Sequence, residues 1–331
     1  MLGNLYRRPL VRRIRNKLNR ILPNFPGVNY WLAVPTFVDG NKRLPRRVED
    51  PQASLNDVVF QRMIRNDWTV LQQSCVDKEY AKTLAVAKAP GVKVAKTQAV
   101  MLLQDATTDA EVMAWLKPYL GRRLVLKPTH SCEAILYLDR PISDQEMSHF
   151  IRYSKKNFFH IRRETQYRNL EHKLIVEENI TPATGGLNDY KFACANGHVL
   201  HGRVDVGRFT ANHRRALFTV PDFNIIPVRY GGLEIPETVE RPRHLREMVE
   251  IAEDLSRGFD FVRVDLYDLE DGVYFGEFTF TPCAGSSNYS DESFAIDLAR
   301  RLKAVSGTPS QSPAVRGTGA AIDSALRPLG S

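Results

Sequence analysis

Residues Phe261 to Pro282 read FVRVDLYDLEDGVYFGEFTFTP, two runs rich in aromatic and β-branched residues around Glu270, Asp271 and Gly272. A three-residue loop ending on glycine predicts a β-hairpin that pairs Leu269 with Val273. Counting back, Tyr267 meets Phe275, Asp265 meets Glu277 and Arg263 meets Thr279, all on one face because side chains alternate with period two. Two carboxylates then oppose each other. Like charges facing across a ladder are destabilising, so a cation, a shared proton or a neighbouring arginine is required. Hard divalent ions prefer such oxygen pairs, and Mg2+ is the first candidate. A two-residue Asp271-Gly272 turn is the competing reading. It slips the register by one and leaves Asp265 and Glu277 on opposite faces as ordinary solvated residues.

The rest of the chain is compatible with a folded protein built around this hairpin. Its 331 residues allow two or three domains, and 43% apolar with 25% charged residues is the composition of a globular protein with a buried core. A net charge of +8 suits an anionic partner without specifying which. Cys75, Cys132, Cys194 and Cys283 lie far apart, with no C-x-x-C pair, which argues against structural zinc or a disulfide framework and fits a reducing cytosol. No apolar run approaches the ~18 residues of a spanning helix, and no signal peptide is apparent.

The chain opens with Arg7, Arg8, Arg12, Arg13, Arg15, Lys17 and Arg20 before its first acid, Asp39. Leu10, Ile14, Leu18 and Ile21 can share one helical face, so this segment reads either as a solvated basic tail or as an amphipathic helix on an anionic membrane. Five prolines between residues 23 and 53 predict a linker or irregular wrapping segment. Helices are expected from Ser54, over Asp77 to Ala87, and at the capping-box pairs Thr108/Glu111 and Ser143/Glu146. LVLKPTH reads as a strand that delivers Lys127 and is halted by Pro128. KLIVEENI reads as a strand ending in Glu177 and Glu178, and DYKFACANGHVLHGRVDV as two strands about an Asn196-Gly197 turn. Leu245, Met248, Val249, Ala252 and Leu255 form an apolar stripe on a helix ended by Gly258. A last helix near Glu292 to Val305 precedes a tail of disordered composition. These divisions are 1–53, a basic extension and linker; 54–123, a helical region; 124–305, the main domain; and 306–331, the tail.

P-loop, dinucleotide-binding, kinase, zincin and serine-hydrolase signatures are all absent. What the chain carries is an ordered series: Lys78, Lys127, Glu177-Glu178, Asp189 and Lys191, then Arg263, Asp265, Glu277 and Thr279. In that order it resembles the ATP-grasp superfamily, and within it the teichuronopeptide-biosynthesis (TupA-like) polysaccharide group, over roughly Leu55 to Leu302. The resemblance implies an α+β fold in which two sheet-containing lobes sandwich ATP, preceded by an N-terminal helical or irregular extension. It also implies that Lys78 and Lys127 reach the phosphates from different lobes, that Glu177 and Glu178 form the adenine hinge, and that Asp189, with Lys191 close by, lies near the ribose or hinge. Arg263 is then the phosphate arginine, and Asp265 and Glu277 hold Mg2+. Thr279 stands where many members have Asn, and the loop through Gly285 and Ser286 can present N–H groups to the substrate.

One departure is the segment Thr129 to Ala134, which has no glycine where relatives cover the phosphates with a glycine-bearing loop, and which adds Glu133. The activity implied is ATP-dependent ligation of a carboxylate, such as an acidic sugar, to an amine through an acyl phosphate, in surface polysaccharide synthesis. The setting implied is cytoplasmic, with peripheral contact at the inner face of the membrane. A non-catalytic nucleotide-binding or scaffold protein explains the altered loop, and a basic membrane- or nucleic-acid-binding module explains the charge. Nucleic acid is disfavoured because aromatic residues do not interleave with a basic stripe.

Overall fold

The computed structural model describes residues 9–131, 134–182, 186–208 and 210–306. Among the described residues, ten α-helices flank or precede two sheets. In chain order, the helices α1 (Pro9–Ile21), α2 (Pro26–Asn41), α3 (Leu55–Met63), α4 (Val70–Cys75) and α5 (Lys78–Lys88) lead into β1 (Lys93–Val94) and β2 (Thr97–Leu102). Next come α6 (Asp109–Leu116), β3 (Leu124–Pro128), β4 (Leu136–Tyr137), α7 (Asp144–Ser154), α8 (Phe158–Arg162) and β5 (Lys173–Glu178). The chain closes with β6 (Asp189–Ala195), β7 (His198–Val206), β8 (Arg214–Phe218), β9 (Ile225–Ile226), α9 (Leu245–Ser256), β10 (Val262–Leu269), β11 (Gly272–Thr279) and α10 (Glu292–Ser306). The small sheet runs β2-β5-β3-β4, and the large one runs β1-β11-β10-β6-β7-β8-β9.

Alternation along the strands of the large sheet separates two kinds of burial. On β6, Tyr190, Phe192 and Cys194 face a core completed by Met248, Ala252 and Leu255 of α9 and by Ala81, Leu84 and Ala85 of α5. Full burial of a large apolar side chain contributes about 1.5–3 kcal/mol, so this face dominates the stability. The opposite face of the same strands carries Asp189, Lys191, Arg203, Asp205 and Asp265, all buried. Leu55 and Val59 of α3 and Leu298 and Leu302 of α10 cover only one end of it, beside Ala193, Ala195 and Phe261. The small sheet has its own core, in which Leu126, Leu174 and Val176 meet Val112 and Leu116 of α6 and Met147 and Phe150 of α7.

The hairpin reaches its predicted pairing by a different route. Its turn has two residues, Glu270 and Asp271, with Leu269 opposite Gly272 and Tyr267 opposite Tyr274. A bulge between Asp265 and Leu266 then absorbs Gly276 and restores Arg263 opposite Thr279 and Asp265 opposite Glu277. A Cβ on Gly276 would lie 3.0 Å from the Tyr267 ring and 3.1 Å from the Asp265 carbonyl, so the extra residue has to be small.

Residues 23–53 are more regular than expected. The prolines do not prevent α2: Pro26 sits in its first turn, where no N–H is needed, and Pro35 is accommodated within it. Ala33, Val34 and Phe37 pack on Phe60, Met63 and Ala284. Arg43 binds Asp57 (2.6 Å) and Glu292 (2.6 Å), while the buried Arg163 donates to the carbonyls of Leu18, Leu22 and Pro23 at the end of α1. Of the two expected capping boxes, the one at Thr108 forms, while at Ser143 the side chain accepts from the Glu146 N–H; a further box forms at Ser54. Of the expected tail, residue 306 closes α10 and residues 307–331 lie outside the described residues, as do Arg7 and Arg8.

This segment also braces the loop after β11. Cys283 and Ala284 hold left-handed φ values of 51° and 54°, a conformation uncommon for residues with a side chain. Asn41 donates to the Gly285 carbonyl (2.9 Å), Asn56 to the Ser287 carbonyl (2.9 Å), and a Cβ on Gly40 would lie 1.7 Å from the Ser286 carbonyl oxygen. Gly40→Ala should therefore lower stability by about 1–3 kcal/mol through overpacking against rigid backbone. Urea denaturation checks this; an unchanged midpoint would mean that the brace is not tight.

Candidate functional site

The charged face of the large sheet meets the small sheet across α5. Arg263 is the hub. Its Nε donates to Asp265 Oδ1 (2.6 Å), and its Nη2 reaches Asp265 Oδ2 (2.6 Å), Glu277 Oε1 (3.0 Å) and Thr279 Oγ1 (2.9 Å). Thr279 in turn donates to Glu277 Oε1 (3.2 Å). Lys191, directly across β6 from Asp265, bridges Asp265 Oδ2 and Asp189 Oδ2, each at 2.6 Å. Burial alone would raise the Asp265 pKa, but Arg263 and Lys191 overcome it and hold the carboxyl below the usual range. The facing acids expected from the sequence thus exist, and the neighbouring arginine is one of the groups that compensates them.

Lys78 opens α5, where Asp77 caps the helix by accepting from the N–H groups of Glu79 and Tyr80. Its Nζ donates to the Ser131 carbonyl (2.5 Å) and lies 3.8 Å from Glu277 Oε2, while its backbone N–H donates to Thr129 O (3.0 Å). Thr129 Oγ1 returns a bond to Asp77 (2.9 Å). The start of the segment after Pro128 is therefore buried and tied to the helix, not open over a cleft. His130 stacks on His172 with ring centroids 4.1 Å apart. Burial, with His172 and Lys78 adding to it, lowers His130 to about 3, so the ring is uncharged near neutral pH. Cys132 and Glu133 lie outside the described residues, and so does any closure through them.

Lys127 comes from β3 of the small sheet, while Lys78 comes from a helix packed on the large one, so the two lysines do arise from opposite lobes. Lys127 pairs with Glu177, whose second oxygen pairs with Lys82. Lys82 also donates to the Ala95 carbonyl (2.9 Å). Burial tends to raise Glu177, but Lys127 and Lys82 outweigh it and depress its pKa. The Glu177 side chain is thus turned inward and saturated; only Glu178, whose N–H donates to Lys96 O, is exposed at this strand end. Asp189 accepts from Lys191 and Arg208 through Oδ2, while its buried Oδ1 has no hydrogen-bond partner.

In the loop after β11, the N–H groups of Ala284 and Ser286 are taken by the Thr281 and Cys283 carbonyls, so they are not available to a substrate. Gly285 is buried against α3. Sequence reasoning missed Lys82, Arg208, Arg203 and Asp205. Lys82 was legible as the i+4 partner of Lys78 on one helix face, and Arg203 and Asp205 as alternate residues of HGRVDV.

A family model, TupA-like ATPgrasp, matches residues 101–303. The chain belongs to the TupA-like ATP-grasp family. Among solved structures it is similar to D-alanine–D-alanine ligase from Bacillus anthracis, with 15% identity over 71% of this chain and 69% of that one, and a TM-score of 0.38. It is also similar to D-cycloserine synthetase DcsG (18% identity, 70% of this chain, 72% of that one, TM-score 0.36). For the ATP-grasp ligase PsnB complexed with minimal precursor the values are 12%, 70%, 61% and 0.35. No curated protein matches the sequence. The fold is the α+β ATP-grasp fold of this family, and no helix among the described residues is long and apolar enough to cross a membrane.

The residues fit the nucleotide and metal that such a family implies. The orphaned Asp189 Oδ1 suits a hydroxyl donor such as a ribose. Asp265 and Glu277 offer only hard oxygen donors, and Glu277 Oε2 faces Lys78 beyond hydrogen-bond range. No group of three or more His, Cys, Asp or Glu gathers for a metal among the described residues, so an ion here would need phosphate oxygens to complete its shell.

Glu177→Gln should leave two lysines facing a neutral amide and destabilise the fold by about 3–5 kcal/mol. The pH dependence has a definite sign. The folded pKa lies below the ordinary 4.5, so the carboxylate's contribution is present above pH 4.5 and is lost as pH falls through the lower folded value. Acid melts of the wild type should show this loss and those of Glu177→Gln should not; parallel profiles would refute it.

Proposed function

We propose that the protein is an ATP-dependent carboxylate–amine ligase acting on an acidic sugar of a surface polysaccharide. The observation that carries the reading is the Arg263, Asp265, Glu277 and Lys191 cluster on one face of the large sheet, with Lys78 at the start of α5 beside it. Family membership supports the nucleotide, and the concentration of buried cations supports an anionic acceptor. A carboxylate oxygen of the acceptor attacks the γ-phosphorus of ATP and ADP leaves. The amine then attacks the acyl carbon, phosphate leaves, and the amine loses its proton, giving an amide.

The protein's part is placement and charge. Arg263 and Lys78 neutralise the transferring phosphoryl group, Lys127 and Lys191 flank it, and Asp189 orients the ribose. Asp265 and Glu277 would hold Mg2+, which would supply positive charge to the phosphate oxygens. Release of Lys127 from Glu177 costs little in the fold because Lys82 remains to pair that carboxylate.

The primary test is ADP and phosphate release from MgATP with a panel of acidic sugars and amines. Glu277→Gln should reduce turnover roughly 10- to 100-fold, the equivalent of about 1.5–3 kcal/mol, with an unchanged far-ultraviolet spectrum. Calorimetry should show weaker ATP binding by Lys127→Ala. Normal turnover in the first variant would remove the metal assignment, and ATP binding without turnover on any acceptor would favour a non-catalytic nucleotide-binding protein.

The N-terminal helices supply a second partner, an anionic membrane surface. Ile14, Ile21, Phe25 and Trp31 are 52%, 66%, 61% and 73% exposed, close in sequence to the exposed Lys17 and Arg20. Apolar side chains beside cations suit the interface of an anionic bilayer. Flotation with phosphatidylserine-containing vesicles should retain the protein and lose it for the combined Ile21→Ser, Phe25→Ser, Trp31→Ser variant. Equal flotation of both would exclude this surface.

A further inference from the structure

Glu177 is shared by two lysines from different lobes, and the two are held differently. On the small sheet, Glu177 of β5 lies opposite Thr97 of β2 and Val125 of β3, with Lys127 two residues along from Val125. Side chains so spaced share a face, so Thr97 and Lys127 flank the carboxylate within its own sheet. Lys82 reaches the same carboxylate from α5, which packs on the large sheet.

The ammonium of Lys82 is fully engaged. It donates to the Ala95 carbonyl (2.9 Å), to Thr97 Oγ1 (3.3 Å) and to Glu177 Oε2, which uses all three of its N–H groups. The ammonium of Lys127 pairs with Glu177 Oε1 and has no other partner among the described residues. The Lys82 side chain is 10% exposed and that of Lys127 is 27% exposed. Lys82 is therefore the anchored cation, and Lys127 the one that can leave.

The charge balance gives this difference a use. Glu177 is only 2% exposed, and burial pushes its pKa up while Lys127 and Lys82 bring it below the ordinary value. A carboxylate this deep is tolerated only while a cation stays on it. One lysine meets that need. The second leaves the empty site with an excess positive charge, and burial lowers the Lys82 pKa against the pull of Glu177, with Lys127 and Lys78 adding to the fall. An anion that draws Lys127 away removes the excess and leaves a neutral Lys82–Glu177 pair. Without Lys82, the same anion would strand a buried carboxylate.

We propose that Lys82 is a positioning residue for nucleotide binding: it stays on Glu177 as a resident counter-ion and so frees Lys127 for the phosphates. Lys82 itself does not touch the nucleotide. The purpose rests on the nucleotide reading above, but the sharing of Glu177 is measurable without nucleotide. A mere strut between α5 and β5 would use the same contacts, yet its loss has the opposite effect on Lys127.

On the full chain without nucleotide, trace acetylation by sulfosuccinimidyl acetate, quantified at Lys127 by peptide mass spectrometry, reports how firmly that amine is held. In Lys82→Met, Glu177 is left to Lys127 alone, and acetylation of Lys127 should slow severalfold. Adding Glu177→Gln should reverse the slowing, because an amide no longer holds the ammonium. Loss of a strut would instead loosen the lobes and speed acetylation. Lys82→Arg, which keeps the cation, should behave as the wild type. Circular dichroism identifies folded variants, and Lys82→Gln takes the place of Lys82→Met if the latter fails to fold.

Titration calorimetry with MgATP measures the consequence. Lys82→Met should bind about tenfold or more weakly, and the double variant should recover most of that loss, a reversal that additive damage cannot give. Unchanged or faster acetylation of Lys127 in Lys82→Met, or a double variant that binds no better than the single one, would overturn the proposal. Wild-type MgATP affinity in Lys82→Met removes the positioning role and leaves the nucleotide reading intact. Failure of the wild type itself to bind MgATP removes the nucleotide reading and the positioning role with it, and the acetylation order then decides only how Glu177 is shared.

Discussion

Arg263 is the group on which the charged face depends. Two carboxylates brought together on a buried sheet face would repel at close range in a medium of low effective dielectric, and the strand pairing that positions them would be destabilised. The planar guanidinium contacts both of them and Thr279 at once, a task for which an ammonium group lacks the geometry. Lys191 takes the remaining side of Asp265. The hairpin is therefore held in register partly by the chemistry it exists to present, and anything that draws Asp265 or Glu277 toward a metal has to redistribute these contacts.

The same principle recurs wherever the lobes meet. Glu177 from the small sheet is neutralised by Lys127 of that sheet and Lys82 of α5, a helix of the large sheet's core. Lys173 joins Asp77 and Glu79 at the start of the same helix. These are buried or half-buried pairs whose worth as net stability is small but whose disruption is expensive, because a lone charge would be left behind. They make α5 the element through which Lys78, β5 and β11 are mutually placed. The N-terminal helices perform a comparable service for the loop after β11, holding its left-handed residues by backbone-directed bonds from Asn41 and Asn56.

Much of this was legible in the chain itself. Cap residues announced the starts of α6 and α7, because a side-chain acceptor for free N–H groups is a local requirement. Alternation on the strands announced which face each acid would take. The order of Lys78, Lys127, Glu177, Asp189, Arg263, Asp265 and Glu277 pointed to the family. Length and charge said nothing of the substrate.

Tertiary structure decided what depends on groups distant in sequence. The facing of Asp265 and Glu277 came from a two-residue turn corrected by the bulge at Gly276, a position with room for no side chain beside the Tyr267 ring and the Asp265 carbonyl, which turn composition does not report. The inward turn of Glu177 depended on Lys82 reaching it from 95 residues earlier in the chain. Pro35 gave a local signal against a helix, which burial of Ala33, Val34 and Phe37 overrode. The unsatisfied donor of Arg203 emerged only when β6, β7 and β10 were laid side by side, since a guanidinium is short of partners only in relation to the charges folded around it. Local sequence determined the elements and the faces of the strands; long-range packing determined which charges are shared, and so which atoms remain free to bind.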